Sequence, residues 1–396
     1  MTGITAKYCE ERYGAVLRAI RSDLHRHPEL SMQEYRTTAL IRAELEKLGV
    51  EILHLPLKTG VVALLRGRQP GATVALRADI DALPIQEETN APDASGTPGV
   101  MHACGHDVHA VGLLGAVMLL KEQQDDLRGN VLFVFQPAEE TIEGAREIMK
   151  TKAFETLNVN ATFGLHVWPD MELGQVGLHE GAVTAAKDSF RIVVRGVGGH
   201  GSAPQTGHDP IVAGSAIVCA IQSIVSRNIS PLEPAVVSIC QVSAGTCDNV
   251  IPDAYMMVGS MRTLSASARS CILQRIEKLA GSIAEAHGCS ALFELSPGVP
   301  AQCNAPALAD IAKQSVVATL GEQAVKDEAA AMISEDFALY PAPSYFYRLG
   351  IHVAGELAYG LHSSRFYVDE RALAQTAALL ANSALGICKV SVPKNE

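Results

Sequence analysis

Apolar positions three and four apart open the chain: Leu17, Ile20 and Leu24, then Leu40, Ile41, Leu45 and Leu48. That spacing predicts helix over 8–48, closed by Gly49 and interrupted at Asp23–Glu29, where Pro28 disfavours helical backbone in the residue before it. Short apolar runs of strand length follow at 60–65, 73–78 and 131–135, with a helical run at 109–123 between the last two. Strand, helix and strand at this distance predict an α/β domain on a mixed, mostly parallel sheet flanked by helices. After residue 183 the pattern changes. Strands are predicted at 188–195, 235–242, 254–262 and 290–295, and helices at 210–227 and 268–287. The order β-α-β-β-α-β is that of a ferredoxin-like α+β unit. Helical runs return at 305–320 and 370–388. The predicted organisation is one α/β domain, 1–183 and 302–396, interrupted by a smaller α+β domain, 184–301.

Composition narrows the classes. Of 396 residues, 48% are apolar and 19% charged, enough to build a large core. Aromatics are 5%, with Trp168 the single tryptophan, and 32 basic against 43 acidic residues give a net charge of −11. Both features speak against a nucleic-acid partner, which calls for basic surface and stacking rings. The longest apolar run, 110–120, is shorter than the ~20 residues a bilayer span takes, and the charged N-terminus has no apolar secretory core. Nine scattered cysteines, an odd number, read as reduced thiols and predict a cytoplasmic protein without a membrane partner.

Chemistry concentrates in Met101-His102-Ala103-Cys104-Gly105-His106-Asp107-Val108-His109. Residues two apart on an extended segment face the same way, so Cys104 and His106 can share one site. Thiolate and imidazole are preferred donors for zinc and its first-row neighbours. Asp107, opening the helical run, suits a helix start as well. A second signal is the apolar strand that ends in Gln136-Pro137-Ala138-Glu139-Glu140. Adjacent carboxylates repel unless a cation is near, and the carboxyl edge of an α/β sheet is where ligands bind; a solvated acidic turn is the plainer alternative. His166 lies in the apolar run of Gly164-Leu165-His166-Val167-Trp168-Pro169, and His362 in a loop before the last helix. Taken singly, each could be an ordinary core or loop residue.

Nine motifs stand in order along the chain: DLHRHPE (23–29), RADIDALP (77–84), GVMHACGHDVH (99–109), QPAEE (136–140), GLHVWP (164–169), GGHGSAP (198–204), NVIPD (249–253), SEDFA (334–338) and HSSRFYVDERAL (362–373). Through them the sequence resembles the aminoacylase/carboxypeptidase superfamily of dinuclear metallohydrolases. Within it, the nearest branch is that of hippurate hydrolases, indoleacetyl-amino-acid hydrolases and N-acetyl-diaminopimelate deacetylases. The resemblance implies two divalent ions, zinc or manganese with cobalt or nickel as alternatives, held by Cys104, His106, Glu140, His166 and His362. It implies Glu139 as general base in the hydrolysis of N-acyl-L-amino acids, a small-molecule substrate. It also makes the inserted domain a lid and dimerisation module, in a homodimer or homotetramer, with His200 reaching a partner's site. Asn249 and Arg262 fall where the family contacts the substrate carboxylate, although Asn249 also suits a turn before Pro252 and Arg262 an exposed strand. Asp79 stands on a strand from which the wider superfamily's His-x-Asp histidine is missing, and is expected to support the site, as are His102 and His109. Ser363, Gln205 and Ile333 depart from the branch pattern and bear on the acyl pocket.

Three other readings of the same residues are a dipeptide or aminoacyl-conjugate hydrolase on the same metals, a metal-free hydrolase with Cys104 as nucleophile beside His106 or His109, and a non-catalytic binding protein on this fold.

Overall fold

The computed structural model describes residues 3–341 and 343–389. The chain divides into two compact units, one of Met1–Gly181, Cys303–Ala329 and Leu339–Glu396, the other of Ala182–Gln302 and Ala330–Ala338. The sequence reading keeps 330–338 with the first unit. The second unit claims that stretch through backbone bonds: Ala331 N–H donates to the Val183 carbonyl (2.9 Å) and Ala185 N–H to that of Ile333 (2.8 Å).

The first unit is built on an eight-stranded sheet in the order Glu51–Ile52, Val61–Arg66, Arg128–Gln136, Gln69–Asp79, Val159–Glu172, Ser344–His352, Val176–Leu178, Val325–Asp327. The four long central strands, Arg128–Gln136 to Ser344–His352, run parallel, while Val61–Arg66 and Val176–Leu178 pair antiparallel at either side. The result is a mixed sheet with a parallel centre, as the apolar runs predict. The first helical stretch resolves into Ala6–Arg26 and Tyr35–Lys47 on either side of Pro28. Helix His106–Glu122 begins three residues ahead of its predicted start, is buried from His106 to Leu120, and packs with Ala6–Arg26 and Arg371–Lys389 over the sheet. A helix without a polar face has to be enclosed. Gly112 allows this contact: a Cβ there would lie 2.2 Å from Thr376 Cγ2.

The second unit has strands Ala186–Arg195, Ala235–Ala244, Ala254–Thr263 and Ser290–Val299, all antiparallel to their neighbours, with Ala186–Arg195 and Ala254–Thr263 in the middle. Phe190, Ile192 and Val194 on the first strand pack against Ile217, Ile221 and Ile224 of helix Pro210–Asn228 and Ile272 and Ile276 of helix Ala266–Ala286. Among the described residues one helix, Pro210–Asn228, is long and apolar enough by length and composition to cross a membrane, with mean hydropathy 1.5. Serines and Gln222 interrupt its apolar residues, so it contains no unbroken apolar run as long as 110–120. Its apolar face is buried within its own unit.

Candidate metal centre

Register places Asp79 opposite Gln136 and Arg77 opposite Gly164 on the three parallel strands. Residues 79–81, 136–140 and 164–168 therefore reach one carboxyl edge of the sheet, where α/β folds bind ligands. Cys104 and His106 arrive at the same edge through a tight turn. Cys104 lies in that turn and His106 opens the helix, so the two do not sit on the extended segment the sequence suggests; Gly105 between them takes φ +84°, and a Cβ on it would lie 2.5 Å from Val167 Cγ2. Ala138 (φ +50°) and His362 (φ +64°) also hold left-handed backbone, though neither is glycine. Such strain collects where a side chain has to be aimed.

The edge gathers the predicted donors. Those of Cys104, His106 and His166 lie within 4.8 Å of one another, as do those of Cys104, Glu140 and His362, and those of His106, Glu139 and Glu140. Cys104 Sγ is 3.3 Å from His166 Nε2, and His362 Nε2 is 3.4 Å from Glu140 Oε1. Each inner imidazole is oriented from behind. His106 Nδ1 donates to the Asp81 carbonyl (2.9 Å), with Asp81 Oδ1 at 3.2 Å, and His166 Nδ1 donates to the Val167 carbonyl (2.7 Å). Both rings thus turn Nε2 toward the cluster. His106 Nε2 and Glu140 Oε1 are buried with no hydrogen-bond partner among the described residues. A buried imidazole nitrogen and carboxylate oxygen that converge without a hydrogen bond suit a cation.

Electrostatics agree. Burial pushes the Cys104 thiol well above its usual range. Burial also opposes charge on His106, yet the carboxylates of Asp79 and Asp81 raise it well above the ordinary histidine value. A cation at Nε2 would take the place of that proton and hold the thiol as thiolate. Burial and the neighbouring His109 keep His166 well down, so it is a neutral donor.

Behind the donors lies a set of supporting residues, some of which the sequence marks. His109 Nδ1 donates to Asp79 Oδ1 (2.6 Å), and its Nε2 accepts from Val167 N–H (3.0 Å). Both nitrogens are engaged, so His109 and Asp79 brace the strand beside His166. Asp81 carries no signal of its own in the sequence. Its Oδ2 accepts from Glu140 N–H (3.1 Å) and Ser31 Oγ (2.7 Å), so one carboxylate orients two donor residues. His102 is buried without a partner for either ring nitrogen among the described residues, and burial pulls it down to about 4. His200, Asn249 and Arg262 lie in the second unit. His200 pairs with Val250 in a short ladder, and Asn249 accepts Gly201 N–H through its carbonyl (2.9 Å). These two come together, whereas Arg262 sits on strand Ala254–Thr263 and donates to Ser260 Oγ (2.7 Å) and the Met261 carbonyl (3.1 Å).

A buried charge network anchors the helix that carries His106. Asp107 Oδ2 accepts from Arg21 Nε (2.8 Å) and His25 Nδ1 (2.7 Å), and Arg21 also binds Asp93 (2.6 Å). Burial would lower His25, but the Asp107 carboxylate prevails and holds it up at about 9. A value raised above the ordinary 6.5 stabilises the fold fully below pH 6.5, and that contribution is lost as pH rises through about 9. His25→Gln should therefore remove a pH-dependent loss of stability on the order of 3 kcal/mol between those limits. Tm measured against pH for both proteins tests it; an equally steep decline in the variant would contradict the assignment.

The model of peptidase family M20/M25/M40 matches residues 75–385. An N-acetylcysteine deacetylase of Bacillus subtilis (strain 168) is 44% identical over 369 residues, 92% of this chain and 95% of that one. An N-acyl-L-amino acid amidohydrolase of Geobacillus stearothermophilus is 44% identical over 280 residues, 71% of this chain and 75% of that one. Among solved structures, a dinuclear metal binding peptidase of the M20 family from Bacillus subtilis aligns with TM-score 0.86 and 38% identity over 96% of this chain and 99% of that chain. A family model spanning most of the chain, a relative matched nearly end to end, and a donor cluster at the expected residues lead to one conclusion: the chain belongs to peptidase family M20/M25/M40.

Proposed function

We propose that the protein hydrolyses the amide bond of N-acyl-L-amino acids, releasing a carboxylate and a free amino acid. The observation that carries this reading is the convergence of Cys104, His106, Glu140, His166 and His362, with His106 Nε2 and Glu140 Oε1 buried and without a hydrogen bond. These residues would hold two divalent ions, zinc or manganese, whose charge makes water more acidic and draws electrons from a carbonyl oxygen. Glu139, 8% exposed and next to a ligand, takes the water proton and returns it to the departing amine, which leaves poorly unless protonated. His200 Nδ1 accepts from Ser202 N–H (3.1 Å), which leaves Nε2–H as a donor for the tetrahedral oxyanion. Arg262 pairs with no carboxylate among the described residues and, with Asn249, would receive that of the substrate.

The inserted unit serves as lid and dimerisation module, with His200 acting on the partner's substrate. Nine free cysteines fit a reducing, cytoplasmic setting. A metal-free thiol mechanism fits poorly, since burial raises the Cys104 thiol and both His109 nitrogens are engaged. The test is a panel of N-acetyl, N-benzoyl, N-long-acyl and indoleacetyl amino acids, assayed with dipeptides before and after chelation and after restoring each metal. The expected result is metal-dependent release of free amino acid from N-acyl substrates. Turnover that survives metal removal, or hydrolysis of dipeptides alone, would overturn the proposal.

A further inference from the structure

Glu34 opens helix Tyr35–Lys47 and is fully buried. No Lys, Arg or His pairs with it among the described residues; its partners are neutral donors. Oε1 accepts from Met32 N–H (3.0 Å) and Ala138 N–H (2.9 Å), and Oε2 from Thr59 Oγ1 (2.7 Å). Ala138 is the left-handed residue before Glu139, and its carbonyl closes the turn by accepting from Glu143 N–H (3.2 Å) and Gly144 N–H (3.0 Å). A residue with a Cβ takes φ +50° only when its surroundings impose it. Glu140, by contrast, has its N–H held by Asp81 Oδ2 (3.1 Å). Separate groups therefore hold the ligand carboxylate and the residue that aims the base.

We propose that Glu34 is a positioning residue for the reaction: by accepting the Ala138 N–H it fixes the left-handed turn that points Glu139 at its proton. This rests on the reading of Glu139 as general base. The role requires an acceptor at a given place rather than a charge. Glu34→Gln keeps the acceptor without the charge, and the Thr59 hydroxyl can rotate to accept from the new amide. Glu34→Asp keeps the charge and withdraws the oxygen by one carbon–carbon bond. The proposal ranks glutamine above aspartate; a role through charge ranks them the other way.

The experiment measures kcat, KM and metal content by elemental analysis for Glu34→Gln, Glu34→Asp and Glu34→Ala in the metal-loaded enzyme. Glu34→Gln should stay within a few-fold of the parent. Glu34→Asp and Glu34→Ala should lose about ten- to a hundredfold in kcat, the scale set by displacing a catalytic group by ~1 Å, with KM and metal content retained. Ala138→Gly, which removes the Cβ penalty, should recover kcat in the Glu34→Asp background by a larger factor than it changes kcat in the parent. Full kcat in Glu34→Asp, a glutamine variant as slow as the alanine one, or metal lost in step with kcat would each overturn the proposal. Glu34→Asp keeps the buried acidic group and serves if the alanine variant does not fold. Glu139→Gln separates the two levels. If it retains turnover, the reading of Glu139 has failed; if it is inactive while Glu34→Asp is unimpaired, Glu34 alone is wrongly assigned.

Discussion

Glu139→Gln is expected to bind its metal normally and to lose about 10²- to 10⁴-fold in kcat, the share a positioned general base supplies. Glutamine keeps the size and hydrogen-bonding reach of the side chain but cannot accept a proton at working pH. The prediction is sharp because Glu139 and Glu140 are neighbours with different surroundings. Glu140 has an unpartnered, buried Oε1 3.4 Å from His362 Nε2, and its N–H is fixed by Asp81. Glu139 lies within reach of His106 and Glu140 but is absent from the groups that contain Cys104. Removing its basicity should therefore spare the ions. Single-turnover kinetics and elemental analysis on the same preparation decide it: unimpaired turnover removes Glu139 from the proton-transfer role, and loss of metal moves it among the ligands.

Cys104→Ala should weaken metal binding by more than about 100-fold, the upper end of what losing a mere supporting partner costs. The reason is its place in the cluster. Its sulfur belongs both to the group with His106 and His166 and to the group with Glu140 and His362, so its loss damages the whole constellation. The thiol is 6% exposed and pushed up by burial, so a cation beside it would be needed to hold it as thiolate. Competition against a chromophoric chelator measures the affinity. An unchanged dissociation constant in a folded variant would exclude Cys104 as a ligand.

Much of this could be read from the chain because the relevant signals are local. Cys104 and His106 are two residues apart, Glu139 and Glu140 adjacent, and the helices that enclose the core keep their apolar spacing. What was not legible depends on backbone partners. Asp81 and Glu34 act by accepting the N–H groups of Glu140 and Ala138, and nothing in their residue types or spacing announces which distant amide they will meet. Strand Ser344–His352 went unpredicted because it is buried almost throughout while carrying Arg348 and tyrosines, a mixture with neither alternation nor an apolar run. Val325–Asp327 is too short to leave a pattern, and its pairing with Val176–Leu178 is purely tertiary. Residues 330–338 join the second unit through backbone bonds, which a reading based on side-chain periodicity does not register. The early start of helix His106–Glu122 follows from Gly105 and its left-handed backbone, again a property of the main chain.

Catalysis by this chain requires donors from separate segments to meet around cations. The most direct measurement is a crystal grown with zinc or manganese, with diffraction recorded at the absorption edge of that metal. Two anomalous peaks among Cys104, His106, Glu140, His166 and His362, with Glu139 close by but unbound, is the predicted result. Peaks elsewhere, or no peak while these side chains hold the same arrangement, would contradict it.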